Sequence, residues 1–260
     1  MSAHRIFGVI LRYLYLTRRS WDRIFDLFYW PVIDLLLWGL TAYFIAQFAP
    51  NSRVLLIIVS GVVLWLIIWR GQNDIGISLL EDLWNKNMIN LFVSPLTFAE
   101  WIVSFLILGT VKIFISFPFA ALIAYILYRI NIFSYGLYLF PFAVLLLFTG
   151  WWVGFFVNGL ILRFGTKIQV IAWSLVMVIA PFSAVYYPLS ILPVWVQKIA
   201  LILPTTYVFE GARQVISTGI LDLNKIYISF LLSVFYLALS IIFLKRSFKK
   251  TLDKGLVKLF

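Results

Sequence analysis

Long apolar runs separated by short polar segments make up most of the chain. Six of these runs cover residues 27–48, 54–69, 101–128, 132–162, 168–187 and 227–244. A helix needs about 20 mainly apolar residues to cross a bilayer. The strands of a membrane barrel would be shorter and would alternate between apolar and polar positions. The pattern therefore predicts an all-α polytopic membrane protein with six transmembrane helices.

One polar interruption, residues 71–100, lies between the second and third runs. Within it, apolar side chains recur at intervals of three and four residues, as on one face of a helix. These side chains are Ile77, Leu80, Trp84, Met88 and Leu91, whereas Glu81, Asp82, Asn85 and Lys86 project elsewhere. We predict an amphipathic helix over 80–92 that lies in water, followed by a capping box formed by Thr97 and Glu100.

The composition agrees with a membrane protein and gives an orientation. The chain is 63% hydrophobic and 12% charged, whereas soluble domains are roughly 25% charged. Lys and Arg number 15 beside the termini, the polar interruption and residues 163–167, but 5 on the opposite side. The positive-inside rule then predicts that both termini are cytoplasmic, in the cell (inner) membrane. The net charge of +11 suits anionic lipid headgroups and does not indicate nucleic-acid binding.

We expect one membrane domain over 1–260, without a soluble domain. Its predicted parts are an interfacial helix (1–26), spans 1 and 2 (27–69), a cytoplasmic loop (70–100), spans 3 to 5 (101–187), an extracellular segment (188–226), span 6 (227–244) and a basic tail (245–260). The first part alternates arginines with apolar residues at helical spacing, which is typical of a helix lying in the membrane plane.

Residues suited to catalysis or metal binding are scarce. The chain has one histidine, His4, and no cysteine, so a histidine-based or thiolate metal site is not expected. The string GLILRFGTK, residues 159–167, superficially resembles a phosphate-binding loop, but its glycines are one residue too far apart and it ends an apolar run. We therefore predict neither enzymatic activity nor a bound cofactor.

Two charged residues stand within predicted spans, Asp34 in the first and Lys112 in the third. At 1.5 Å per residue, their depths differ by only about 6 Å, which a lysine side chain can bridge. Unpaired charges at membrane depth cost a few kcal/mol. We hypothesise that Asp34 and Lys112 form an ion pair, which would either lock the helices together or contact the substrate.

Aromatic and polar residues form a stripe on the first predicted span. Trp30, Asp34, Trp38 and Thr41 recur at helical spacing. Such a stripe could line a pathway for an amphiphilic substrate. Alternatively, the aromatic residues belong to the belt found at membrane interfaces.

Prolines punctuate the predicted extracellular segment. A helix over 193–203 would be only about 17 Å long, too short for a hydrocarbon core of about 30 Å, so we predict a re-entrant or interfacial segment. Glu210 and Arg213 lie one helical turn apart, where they could pair. Pro188, Pro193, Trp195, Pro204, Glu210 and Arg213 are the candidates for an extracellular gate.

The order of these elements resembles the type-2 ATP-binding-cassette (ABC) exporter permeases. The resemblance covers the interfacial helix, the six spans, the segment LLEDLWNKNMINLFVSPLTFAE and the outer stretch SAVYYPLSILPVWVQKIALILPTTYVFEGARQVI. Its most specific part is the outer block, in which Pro188, Leu192, Pro193, Pro204 and Arg213 match the family pattern.

The resemblance implies a permease that works as a homodimer with two copies of a separate ATP-binding subunit. ATP and Mg would bind to that partner, and its closure would push on a coupling helix at 80–92. The implied ATPase-coupling residues are Leu80, Glu81, Asp82, Trp84, Asn85, Met88 and Leu91.

The apolar spans favour a hydrophobic or amphiphilic substrate, drug or lipid-like, that is exported by alternating access. A lipid-linked polysaccharide or glycolipid remains an alternative. A secondary transporter is a further alternative, but it would be expected to show matching halves with paired broken helices, and this chain shows a single break.

Overall fold

The computed structural model describes residues 1–48, 53–87, 90 and 93–254, and every regular element within them is helical. The α-helices are α1 (Ala3–Arg19), α2 (Trp21–Phe48), α3 (Val54–Trp84), α4 (Phe98–Tyr128), α5 (Leu139–Phe164), α6 (Gln169–Ile179), α7 (Val194–Ala200), α8 (Pro204–Thr218) and α9 (Leu223–Lys254). Short 3-10 helices cover Ile132–Tyr138, Gly165–Ile168, Ala180–Phe182 and Leu189–Ile191. The predicted all-α fold is confirmed.

The helix α3 forms the centre of the bundle. In its most apolar 18-residue window 72% of the residues are buried, whereas the corresponding figure for α9 is 17%. The helices α2, α4 and α5 surround α3, and α9 packs on α5 and α8. One helix is thus enclosed by the chain itself, while α9 exposes most of its apolar surface, as a lipid-facing helix does.

Small residues let α3 and α5 approach closely. A Cβ atom added at Gly150 would lie 2.8 Å from the carbonyl oxygen of Ile68, and one added at Gly154 would lie 2.9 Å from Cβ of Ile75. The side chain of Asn158 donates to the carbonyl oxygen of Ile75 at 3.1 Å. These contacts are typical of small-residue packing between membrane helices.

The two ends of the bundle are formed by different helices. One end, called here the basic end, brings together α1, the start of α4 and the last turns of α9. There Ser104 contacts the carbonyl oxygen of Ile6, and Thr251 donates to the carbonyl oxygen of Leu162 at 2.8 Å. Both described ends of the chain therefore lie on the same side of the bundle.

Five helical stretches are long and apolar enough to cross a membrane. One of them, Ile132–Phe182, contains the fourth predicted span and most of the fifth, with a break at Gly165, whose φ is 70°. After this break α6 spans only 11 residues. The number of crossings stays a prediction, and the fifth predicted span is a shorter helix than its apolar run suggested.

The second span was predicted to cover residues 54–69, but the helix observed there is longer. The helix α3 runs on to Trp84 and includes half of the polar interruption. We expected residues 71–84 to lie in water, but Gln72, Asn73, Asp74 and Asp82 are all buried. The helix continues because other helices supply partners for its polar side chains.

A helical hairpin, α7 and α8, closes the opposite end of the bundle. Pro204 is the first residue of α8, where its missing N–H costs nothing. Its carbonyl oxygen accepts a hydrogen bond from Ser229 of α9 at 2.9 Å, and Tyr236 donates to the carbonyl oxygen of Ile202 at 3.2 Å. The tip of the hairpin therefore packs against the side of α9.

Replacing Gly150 by alanine should destabilise the bundle, because the new methyl group would collide with backbone atoms of α3. Overpacking of this kind costs about 1–3 kcal/mol. The apparent melting temperature of the purified protein in detergent measures the loss. Gly109→Ala on α4 is the matched control, since a Cβ there meets nothing within 4 Å. Equal melting temperatures for the two variants would contradict the predicted close packing of α3 and α5.

Candidate functional site

An ion-pair network around two buried charges of α3 joins α2, α3 and α4. Nη1 of Arg70 lies 2.5 Å from Oδ2 of Asp26, and Nζ of Lys112 lies 2.8 Å from Oδ1 of Asp74. Oδ1 of Asp74 is also 4.0 Å from Arg70, one turn earlier on α3. These four residues are called here the buried ion-pair network.

The side chain of Arg70 is completely buried. Its guanidinium also donates to the backbone carbonyl oxygen of Asp26 and lies over the ring of Trp69. A buried charge is stable only when its partners replace the water that it has lost. The buried charge of Arg70 is therefore stabilised by its partners on α2. The same contacts fix the position of α2 beside α3.

The predicted pair between Lys112 and Asp34 is wrong. Lys112 contacts Asp74 on α3, and the side chain of Asp34 forms neither an ion pair nor a hydrogen bond with another described residue. The helix α3 packs against both α2 and α4 and offers Lys112 a carboxylate at 2.8 Å. The sequence did not indicate Asp74 as the partner of Lys112, because the polar interruption was predicted to lie outside the membrane.

A second set of contacts fastens α1 to the end of α3. Nη2 of Arg12 lies 2.5 Å from Oδ1 of Asp82, and the hydroxyl of Tyr13 donates to Oδ2 of the same carboxylate. Arg23, at the start of α2, pairs with Glu81 at 2.7 Å. Burial, and then the negative charge of Asp82, raise the pKa of Tyr13 well above its ordinary value. Tyr13 therefore stays protonated as a donor near neutral pH.

These contacts change the predicted coupling surface. Leu80 and Asp82 are buried, and Glu81 binds Arg23 of the same chain. The two carboxylates are therefore engaged within this chain, although the resemblance implied that they contact the ATP-binding subunit. Trp84 is 48% exposed and Asn85 is also exposed. Met88 and Leu91 lie outside the described residues.

The segment after α3 is tied back at both ends. Asn87 donates to Asp82 at 3.1 Å. The capping box predicted for Thr97 and Glu100 is confirmed, and Glu100 also accepts a hydrogen bond from the backbone N–H of Ser2 at 2.6 Å. Arg5 donates to the carbonyl oxygen of Pro95 at 2.5 Å. The helix α1 thus braces the connection between α3 and α4.

A polar cavity of about 220 Å³ lies between these contacts. Its lining includes all four members of the buried ion-pair network, together with Arg23 and Glu81. Oδ2 of Asp74 is buried and has no hydrogen-bond partner among the described residues. A buried acceptor without a partner is costly, so a cavity of this size and polarity suits water or the polar part of a ligand.

The aromatic and polar stripe lies on a half-open face of α2. Trp38 stacks on Tyr186, with their ring centres 4.2 Å apart and an angle of 14° between the ring planes. Asp34 and Trp38 are half-buried, whereas Trp30 is exposed and contacts Trp69. Thr41 is exposed and donates to the backbone of its own helix at 2.7 Å. The stripe is therefore accessible from outside this single chain.

The predicted pair between Glu210 and Arg213 is confirmed at 2.9 Å. Glu210 also accepts from the backbone N–H of Leu189 at 2.7 Å, and Arg213 donates to the carbonyl oxygen of Ala184 at 2.5 Å. The φ of Ala184 is 52°, in the left-handed region that non-glycine residues rarely adopt. The pair therefore holds the turn after α6 in place.

The remaining gate candidates are spread around the hairpin. Pro188 precedes the 3-10 helix Leu189–Ile191, Pro193 precedes α7, and Pro204 is buried at the start of α8. Trp195 is 64% exposed. These prolines set the ends of short helices.

Within the described residues no group of three or more His, Cys, Asp or Glu side chains could hold a metal ion. The charged residues at the basic end instead pair acid with base between helices. This arrangement fixes helices relative to one another, and most of the residues described between the end of α3 and the start of α4 are exposed.

The model of the ABC-2 type transporter family matches residues 12–217. The match covers α2 to α7 completely, together with the second half of α1 and nearly all of α8. The chain belongs to the ABC-2 type transporter family. It is therefore a multi-pass membrane protein and the permease subunit of an ABC transporter. A search of curated proteins gives no significant match.

The ABC-2 membrane domain is the transmembrane component, typically non-catalytic, and family membership implies a separate ATP-binding subunit. The resemblance seen in the sequence is thereby confirmed at the level of the family. In this permease, sequence reasoning missed Arg12, Tyr13, Arg23, Asp26 and Arg70. The one local signal for these contacts in the sequence is the spacing of four residues between Arg70 and Asp74, which places both side chains on one helix face.

The network makes a quantitative prediction for this permease. Lys112→Met should cost about 3–5 kcal/mol, because it leaves Asp74 buried without its partner. Adding Asp74→Asn should recover part of that loss, since the neutral pair is cheaper to bury. Thermal unfolding of the four members of this mutant cycle, in detergent, measures the coupling. Asp34→Asn combined with Lys112→Met is the control and should be additive. Coupling of Lys112 to Asp34 instead of Asp74 would contradict the arrangement.

Proposed function

We propose that this permease exports a hydrophobic or amphiphilic, drug or lipid-like substrate outward across the cell membrane by alternating access. Two copies of the chain would form a homodimer and bind two copies of a separate ATP-binding subunit at the basic end. The observation that carries the proposal is the exposure of most described residues between α3 and α4, in a connection that α1 braces and that joins two long helices.

The distribution of charge supports a cytoplasmic basic end. Arg5, Arg12, Arg18, Arg19, Arg23, Arg163, Lys167, Lys245 and Arg246 all belong to helices or turns that meet there. Flanking Lys and Arg residues favour the cytoplasmic side. Both termini and the segment 85–97 would therefore face the compartment in which ATP is available.

The coupling surface that we propose is smaller than the sequence suggested. Trp84 and Asn85 are exposed at the end of α3 and form its described part. Asp82 lies directly behind them and holds α1 in place through Arg12, and Glu81 holds the start of α2 through Arg23. A push on this surface would reach α3 and α1 together, because ion pairs join the two helices. The helix α3 would then carry the movement into the centre of the bundle.

The charges inside the bundle are compatible with an amphiphilic substrate. The buried ion-pair network contains two acidic and two basic side chains that are matched to one another. It therefore offers no net charge to attract an ion. One accessible polar group on α2 is Asp34, which lies beside the stacked rings of Trp38 and Tyr186. Aromatic faces with one polar group suit a molecule that is partly apolar.

The same face of α2 supports a dimer. A carboxylate that faces lipid without a partner is costly, and Asp34 has no ion pair among the described residues. Leu37, Leu40, Tyr43 and Phe44 are also exposed on this helix. A second copy of the chain could cover this surface and place Asp34 beside a pathway between the two protomers.

Docking of the ATP-binding subunit at Trp84 can be tested by mutation. Trp84→Ala should reduce co-purification of that subunit several-fold and lower substrate-stimulated ATP hydrolysis, because an exposed aromatic anchor would be lost. The matched control is Trp195→Ala, which removes an exposed tryptophan at the opposite end. Normal assembly of the Trp84→Ala complex, or an equal loss with Trp195→Ala, would contradict the proposed coupling surface.

The substrate class can be tested with the purified complex in nanodiscs. We expect amphiphilic drugs and lipids to stimulate ATP hydrolysis, and Trp38→Ala to raise the substrate concentration needed for half-maximal stimulation several-fold. Lys225→Gln, near the outer end of α9, is a control that should leave this concentration unchanged. Stimulation by glycolipids alone would favour the polysaccharide alternative, and stimulation that is unaffected by Trp38→Ala would contradict the proposed pathway.

A further inference from the structure

A groove of about 460 Å³ runs between α5 and α9, on the side of the bundle away from α2. Its walls are mainly aromatic and aliphatic, and they include Trp152 and Phe156 from α5 and Tyr236, Leu239 and Phe243 from α9. Two arginines, Arg163 and Arg246, line the groove at the basic end. The remainder of the lining is apolar apart from Ser240 and the hydroxyl and indole groups of Tyr236 and Trp152.

The length of the groove matches one leaflet of a bilayer. Trp152 and Arg163 are 11 positions apart on α5, which corresponds to about 16 Å along a helix. The hydrocarbon core is about 30 Å thick, so the groove spans about half of it. The apolar walls would lie at the depth of the acyl chains, and the arginines would lie at the depth of the headgroups.

One arginine is already held in place. Nε of Arg163 donates to the hydroxyl of Ser247 at 3.0 Å, and its guanidinium lies 4.6 Å from the centre of the Phe243 ring. No ion pair occupies Arg163 or Arg246 within the described part of the chain. Two cationic groups without acidic partners, one of them already oriented, suit an anionic phosphate.

We propose that this groove binds an anionic phospholipid, with its acyl chains along α5 and α9 and its phosphate at Arg163 and Arg246. Basic pockets between membrane helices bind anionic headgroups in this way. A second copy of the chain is a poorer occupant, because a two-fold interface would bring the arginines of both copies together. The site does not depend on the transported substrate or on ATP hydrolysis.

The test is native mass spectrometry of the full-length permease in detergent, with phosphatidylglycerol and phosphatidylcholine of identical acyl chains as probes. We expect the wild-type chain to retain phosphatidylglycerol preferentially. Arg246→Gln should weaken that retention about five-fold, which is the equivalent of about 1 kcal/mol for one basic residue near the membrane surface. Lys250→Gln is the control, since Lys250 is exposed on the same helix but does not line the groove.

A second variant tests the groove with both charges intact. Leu239 is 48% exposed, so Leu239→Trp should fill the groove without crowding the core and should also reduce phosphatidylglycerol retention. Three results would overturn the proposal: equal retention of both lipids by the wild-type chain, equal losses for Arg246→Gln and Lys250→Gln, or undiminished retention by Leu239→Trp. Conversion of a dimer to monomers by Leu239→Trp would assign the groove to a second copy and would also overturn it.

Discussion

The buried charges of α3 set the conditions for the rest of this permease. Arg70, Asp74 and Asp82 lie on the central helix, away from water. Each would cost several kcal/mol if it lacked a partner. The chain meets this requirement with one residue from each of three neighbouring helices: Asp26 on α2, Lys112 on α4 and Arg12 on α1. The ion pairs therefore fix the positions of these three helices along α3, whereas α5 packs on α3 through small residues.

This requirement also explains the position of α1. An amphipathic helix that only lies on the membrane surface could slide along it, because the interface offers no specific contact. Here Arg12 and Tyr13 both bind Asp82, and the backbone N–H of Ser2 binds Glu100. The helix α1 is thus fixed to both helices that flank the exposed segment. In the region proposed to contact the ATP-binding subunit, α1 is bound to both α3 and α4, so these three helices would move together.

Much of this fold can be predicted from the sequence, because apolar runs, proline positions and the capping box of Thr97 act locally. The length of α3 could not be predicted in the same way. Residues 71–84 have the composition of a water-exposed helix, and only contacts with distant residues such as Asp26 and Lys112 make them buried. The wrong pairing of Lys112 with Asp34 has the same cause. The sequence shows both charges, but the partner of Lys112 depends on which helix occupies the centre of the bundle. The clamp of Glu210 and Arg213 was predictable because its partners lie one turn apart.

Asp74 and Asp34 have different surroundings, which indicate a structural role for Asp74 and a place on the proposed pathway for Asp34. Asp74 lies in the core of the chain with Lys112 beside it, and a fixed pair of this kind stabilises one arrangement of helices. Asp34 lies at the surface of α2, beside aromatic rings and without a hydrogen-bond donor or cation of its own among the described residues. A chain that supplies cationic partners for both buried carboxylates of α3 has the means to satisfy another. Leaving Asp34 open is therefore better explained by a group that arrives from outside this chain, whether a second protomer or a substrate, than by a failure of packing.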